Sequence, residues 1–371
     1  MRPFTLLIKP SGSDCNLNCT YCFYKDRAPE LGSGKQRMSE PVLEKLICDY
    51  MKLNFPLAVF SWQGGEPTLM GLDFYRRVIE LQQQNRSPNQ QVTNLFQTNA
   101  VLLDDKWCKF LHENTFLVGI SLDGPKELHD HYRVDHSGRG TFDRVLKAIN
   151  TCKQHKVEFN ILCLLNNINV QQPGELFDFF IARHIKYLQF IPCLEADLSG
   201  TKPADFSATA EQYGHFLCKL FDRWYDYGPE KLSIRVFDSI LAHCINGRHT
   251  LCSFDKRCSQ YIVIEHTGDA FCCDFFVEQK WFLGNICQTP IDQLAASDLK
   301  QTFAKSKLKL ADKCLLCTHL DICRGGCLKN RSFLTGRFDQ PSYYCQSYKR
   351  FFEYVMPRFM QLAAKINATQ L

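Results

Sequence analysis

The stretch Cys15-Asn16-Leu17-Asn18-Cys19-Thr20-Tyr21-Cys22-Phe23-Tyr24 spaces three cysteines as C-x3-C-x2-C, with an aromatic residue before the third. It follows a short apolar run, Phe4–Ile8, that reads as a first β-strand. Three thiolates on one loop can hold three irons of a four-iron cluster and leave the fourth iron open to a ligand. The same spacing also serves a zinc knuckle that lacks one local ligand.

Outward from this loop the chain alternates. Leu57–Trp62, Val92–Thr98, Phe116–Leu122, Val157–Leu165 and Tyr187–Ile191 are rich in Val, Ile, Leu and Phe, as buried parallel strands are. Helical spacing lies between them. Ser39–Leu53 opens with Ser-Glu-Pro, a cap followed by proline in the first turn, and Thr141–His155 and Pro173–His184 read alike. Six strand–helix units predict an α/β fold, a partial (β/α)6 TIM-like barrel. Glu195–Phe206 is a polar loop, and helices are expected over Thr209–Tyr227 and Ile234–Ile245. Beyond Gly247 cysteines become dense. Tyr261–Glu265 and Ala270–Cys273 read as a small hairpin, and Tyr343–Ile366 as one long helix. The expected domains are 1–228 and 229–371.

Polar motifs cluster at the strand ends. Gln63-Gly64-Gly65-Glu66-Pro67 follows the second strand and Gln97-Thr98-Asn99 ends the third. Ser121-Leu122-Asp123-Gly124-Pro125 ends the fourth, Asn166-Asn167 the fifth and Pro192-Cys193-Leu194-Glu195 the sixth. In α/β barrels that face carries the site.

The 371 residues include 20 Cys, with 44 Lys+Arg against 39 Asp+Glu, a formal charge of +5. That excess is too small and dispersed to point to nucleic acid. The longest apolar runs, such as Phe177–Ala182, are too short to span a membrane. The opening Met1–Lys9 lacks the apolar length and cleavage site of a secretory signal, so a cytoplasmic location is expected. In a reducing compartment many cysteines suggest metal ligands or small core residues rather than disulfides.

The second half carries Cys258-x9-Gly268-x4-Cys273, then Cys314-x2-Cys317-x5-Cys323-x3-Cys327, then Cys345, with Cys252 as an eighth thiol. Eight thiolates fill two four-iron clusters; two zinc sites need the same number.

The first triplet resembles that of radical S-adenosylmethionine (SAM) enzymes, and the second pattern resembles the SPASM domain. Leu6-Leu7-Ile8-Lys9-Pro10, Gln63-Gly64-Gly65-Glu66-Pro67-Thr68-Leu69, Cys273-Asp274-Phe275-Phe276-Val277 and Tyr344-Cys345-Gln346-Ser347-Tyr348-Lys349 are similar to anaerobic sulfatase-maturating enzymes, nearly over the whole chain. The resemblance implies an oxidoreductase that turns a Cys or Ser of a sulfatase into Cα-formylglycine. It implies three [4Fe-4S] clusters and SAM. Cys15, Cys19 and Cys22 would hold the cluster that cleaves SAM to a deoxyadenosyl radical. Cys252, Cys258, Cys273 and Cys327 would hold one auxiliary cluster, and Cys314, Cys317, Cys323 and Cys345 the other; these would carry electrons.

By the same resemblance Tyr21, Gly64, Gly65, Glu66, Ser121, Arg133 and Leu194 line the SAM site. Asp274 is the expected catalytic base, and Tyr24 and Gln63 are peptide contacts. The implied partners are an extended Cys/Ser-x-Pro-x-Arg sulfatase segment and a flavodoxin- or ferredoxin-like electron donor, with neither nucleic acid nor membrane. Another SPASM peptide modifier, forming thioether or carbon–carbon crosslinks, would share every cluster ligand. The nine remaining cysteines read mostly as core residues, with Cys193 and Cys272 nearer the site.

Overall fold

A computed structural model describes residues 2–25 and 35–369. In chain order the main elements are β1 (Thr5–Lys9), α1 (Glu40–Lys52), β2 (Leu57–Trp62), α2 (Gly71–Asn85), β3 (Gln91–Thr98), α3 (Asp105–Glu113), β4 (Leu117–Ser121) and α4 (Phe142–Gln154). There follow β5 (Phe159–Leu165), α5 (Pro173–Ala182), β6 (Tyr187–Pro192), α6 (Ala210–Tyr227), β7 (Ser233–Ile234) and α7 (Arg235–Asn246). The last part holds β8 (Tyr261–Glu265), β9 (Asp269–Phe271), β10 (Phe282–Asn285), several short helices, and α8 (Cys345–Thr369).

Contacts divide the chain into two compact units. The first comprises Met1–Ser121, His129–Phe159 and Ser259–Ala304. Its strands β1 to β4 are parallel neighbours in sequence order, with Leu6 opposite Phe60, Ser61 opposite Leu95 and Phe96 opposite Val118. The expected hairpin is there, but it is no separate appendage. Its first strand, β8, lies parallel to β1 over its full length, with Lys9 opposite Glu265, and β9 and β10 continue antiparallel. An apolar patch of Leu7, Val263, Phe271 and Val277 seals this junction. Beneath the sheet, Tyr75 packs edge-on against Trp62, Phe96 and Trp107. Burying each such ring contributes about 1.5–3 kcal/mol.

The second unit comprises Leu122–Leu128, Asn160–Cys258 and Lys305–Leu371. Here β5, β6 and β7 pair in parallel. Helices α6, α7 and α8 join through Phe221, Phe237, Phe351 and Phe359. Thr209 and Gln212 form a reciprocal capping box at the start of α6. At α1, Pro41 occupies the first turn as expected, but the Ser39 side chain makes no capping bond. The long C-terminal helix runs on through Pro357.

Candidate functional site

The loops after β1 and β2 are stitched backbone to backbone. Gln63 N donates to Ile8 O (2.8 Å), Gly65 N to Gly12 O (2.7 Å) and Glu66 N to Asp14 O (2.8 Å). A Cβ on Gly65 would sit 1.9 Å from Asp14 O, and Gly64 has φ +123° with its own Cβ position 2.9 Å from Gly12 O. Both glycines are therefore demanded by close approach of main chains. The other edge of the cysteine loop is pinned by Asn18 N to Val134 O (2.8 Å) and Thr20 N to Tyr132 O (3.1 Å). This places the Arg133 guanidinium over the Tyr21 ring, 5.5 Å from its centroid.

Glu66 is fully buried, and both its oxygens are occupied by the chain. Oε1 accepts from Thr68 N (3.0 Å), Thr68 Oγ1 (2.7 Å) and Thr98 Oγ1 (2.7 Å); Oε2 accepts from Asn99 N (2.8 Å). Burial pushes this carboxyl up, and those hydrogen bonds pull it back. Glu66 thus ties the end of β2 to the end of β3. The next side chain, Asn99, reaches the cysteine loop: Nδ2 lies 2.8 Å from Asn16 Oδ1 and 3.6 Å from Cys15 Sγ. Leu17 N also points at that sulfur, at 3.4 Å. Burial, then the Glu66 carboxylate, pushes the Cys15 thiol up to about 12. A sulfur aimed at by N–H donors yet costly to ionise suits a thiolate bound to a cation. Gln97 Nε2 donates to Ser121 Oγ (3.2 Å), joining the ends of β3 and β4.

A second polar group lies at the end of β1. Lys9 is only 2% exposed. Its Nζ is 2.5 Å from Asp274 Oδ1 and 4.5 Å from the centroid of the Tyr24 ring. The Tyr24 hydroxyl donates to Glu265, which is fully buried. Phe23 packs on Phe275 (5.3 Å), so the residues flanking Tyr24 and Asp274 touch as well. The register of β8 on β1 is what delivers Glu265, and the chain beyond β9 delivers Asp274.

In the second unit, Cys314, Cys317, Cys323 and Cys345 line one cavity of about 340 Å³. Burial pushes the Cys323 thiol up to about 12, followed by the charges of Cys345 and Cys314. Cys252, Cys258 and Cys327 bear jointly on the buried ammonium of Lys307. Burial, then Cys327, raises Cys252 to about 11. Thiols gathered in this way, Cys314 buried and the others half-buried, fit iron ligation. Cys273, expected with that trio, belongs to the first unit, and Leu194, expected at the SAM site, is buried in the second. Cys193 and Cys272 are both buried core residues.

Lys9, Glu265 and Asn99 were not singled out as site residues from sequence. For Lys9 and Glu265 the one visible signal is a charged residue ending a largely apolar strand, whereas Asn99 follows β3 in the polar Gln97-Thr98-Asn99 motif.

Residues 10–180 match the Radical SAM superfamily, and 246–318 match SPASM, an iron–sulfur cluster-binding domain. The cysteine-type anaerobic sulfatase-maturating enzyme of Clostridium perfringens is 38% identical over 370 residues, covering 99% of this chain and 100% of the relative. The serine-type enzyme of Bacteroides thetaiotaomicron is 36% identical, covering 96% of this chain and 90% of the relative. The solved structure of native anSMEcpe with bound AdoMet and Cp18Cys peptide matches with a TM-score of 0.92 at 38% identity, covering 98% of this chain and 100% of that one. The iron–sulfur reading of the cysteines therefore prevails over zinc. Likeness of this extent, running through both cysteine patterns, makes the chain a member of the anaerobic sulfatase-maturating enzymes, radical SAM enzymes with a SPASM domain.

Proposed function

We propose that this enzyme oxidises a Cys or Ser in an extended sulfatase segment to Cα-formylglycine. The observation that carries the reading is Asp274, held by buried Lys9 beside Tyr24, next in sequence to Cys273 and in the same compact unit as the Cys15–Cys22 loop. Support comes from relatives of both substrate types and from a solved relative that holds both AdoMet and a peptide.

Cys15, Cys19 and Cys22 would hold the SAM-cleaving cluster; Cys252, Cys258, Cys273 and Cys327, then Cys314, Cys317, Cys323 and Cys345, would hold two auxiliary clusters. That is about twelve iron atoms per chain. When bound, these groups supply a radical that removes one β-hydrogen of the target and a sink for the electron left behind. The chain does the rest. Tyr21, Gly64, Gly65, Ser121, Arg133 and Leu194 would line SAM, with Glu66 holding the turn from behind. Tyr24 and Gln63 would contact the peptide. Asp274 accepts the proton from the target thiol or hydroxyl. A Cys target then yields a thioaldehyde, which water converts to aldehyde and hydrogen sulfide; a Ser target yields the aldehyde directly. Residues 1–228 would form the radical core and 229–371 the auxiliary domain; the family matches fall on either side of that boundary. A flavodoxin- or ferredoxin-like protein would supply electrons.

The test is Asp274→Asn. Iron content and SAM cleavage should persist while aldehyde formation falls at least about a hundredfold, the scale of a lost general base. Full aldehyde yield in that variant removes the assigned base.

A further inference from the structure

Four cationic side chains are almost wholly buried among the described residues: Lys9, Lys300, Lys307 and Arg331. Lys9 has Asp274 as its counter-ion. Arg331 is 2% exposed and has no carboxylate partner among the described residues. Among the described residues it donates to main-chain carbonyls: Nε to Gly325 O (2.8 Å), Nη1 to Lys307 O (2.9 Å) and Lys309 O (3.1 Å), and Nη2 to Arg324 O. Lys307, 1% exposed, likewise donates to Cys252 O (2.5 Å) and Ser253 O (2.8 Å). Arginine and lysine are rarely buried unless paired, and an arginine stays protonated. Carbonyl dipoles alone leave a whole charge uncompensated.

The groups whose charge bears most on Arg331 are Cys314 and Cys323 of one proposed auxiliary set, then Cys258 and Cys327 of the other. The charges of Cys258, Cys327 and Cys252 bear on Lys307, whose ammonium is seated on the Cys252 carbonyl. The backbone is cut to admit the guanidinium: a Cβ on Gly325, whose φ is +75°, would lie 2.2 Å from Arg331 Nη2. Gly325 stands between Cys323 and Cys327, so the spacing that sets the ligands also seats the cation.

We infer that Arg331, seconded by Lys307, is the internal counter-cation of the auxiliary clusters and raises their reduction potentials. The inference rests on the ligand sets proposed above. Four thiolates outweigh the charge of the cluster core, so each site is net anionic and becomes more so on accepting an electron. A fixed positive charge beside it, shielded from water, favours the reduced form. The cation thus helps these clusters take the electron left on the substrate. Arg331 acts through the clusters as a positioning charge and touches no substrate.

The experiment is an EPR-monitored dithionite titration of the full, iron-reconstituted chain. It carries Cys15→Ala, Cys19→Ala and Cys22→Ala, so that only auxiliary signals remain. Arg331 is compared with Arg331→Lys and Arg331→Gln. The neutral glutamine should lower an auxiliary potential enough for a tenfold smaller reduced-to-oxidised ratio at fixed poise, about 59 mV for one electron. Lysine should stay near the parent. Glutamine losing auxiliary iron while lysine retains it supports the same role. Equal potentials in the two variants, or equal iron loss in both, overturns it. A parent without auxiliary iron overturns the ligand sets first, and the counter-ion with them.

Discussion

Gly65, Glu66 and Lys9 show how individual residues build the site. Gly65→Ala cannot be absorbed, because the added carbon meets main chain at 1.9 Å rather than a flexible side-chain tip. The cysteine loop and the glycine turn must then separate. The expected outcome is loss of the first cluster alone, from about twelve to about eight iron atoms per chain, read by iron analysis. Undiminished iron with normal SAM cleavage would show the stitching to be dispensable. Lys9→Met removes the partner of Asp274 and leaves its carboxylate without an opposite charge. Deoxyadenosine should still form, while aldehyde per SAM cleaved falls about tenfold or more, as it does when a reacting group is displaced. An unchanged ratio would mean Lys9 only packs. The cysteine patterns and Asp274 were picked out as candidates, the cysteines by their spacing and Asp274 by resemblance. Lys9 and Glu265 were not, since their meaning depends on strands more than 250 residues apart in sequence lying side by side, Lys9 opposite Glu265.

Among the elements, buried parallel strands were the easiest to read. Leu57–Trp62 was bounded to the residue, and the other first-half strands to within two, because each keeps one face buried in a short, bounded run. The hairpin was recognised, but its attachment to β1 was not. Nothing in the local pattern of Tyr261–Glu265 says which strand it joins, yet that pairing brings the Asp274 segment to Lys9. Helix starts give a paired prediction. Thr209→Ala should cost about 1 kcal/mol, because a real capping box is lost. Ser39→Ala should be nearly neutral, because Ser39 makes no cap bond. Hydrogen exchange in the first turns of α6 and α1 compares them directly; equal protection losses would contradict the cap assignment.

For the whole molecule, the formal charge of +5 conveys little, since eleven cysteines assigned to iron would carry negative charge when bound. Most of the other nine are buried, and Cys108 and Cys152 face each other at 3.6 Å between α3 and α4. No helix among the described residues is long and apolar enough to cross a membrane. Family and cofactor class were legible through the resemblance carried by the two cysteine patterns, the Gln63–Leu69 turn and the Cys273–Val277 and Tyr344–Lys349 segments. The counter-charges that make buried thiolates tolerable were not, because Arg331 and Lys307 read in sequence like any surface lysine or arginine.

The most direct measurement is mass spectrometry of a sulfatase-derived peptide containing Cys-x-Pro-x-Arg, incubated anaerobically with the reconstituted enzyme, SAM and reductant. The expected products are 5′-deoxyadenosine and an aldehyde-bearing peptide, formed in equal amounts with hydrogen sulfide released. Deoxyadenosine accompanied by a thioether or carbon–carbon crosslinked peptide, and no aldehyde, would contradict it.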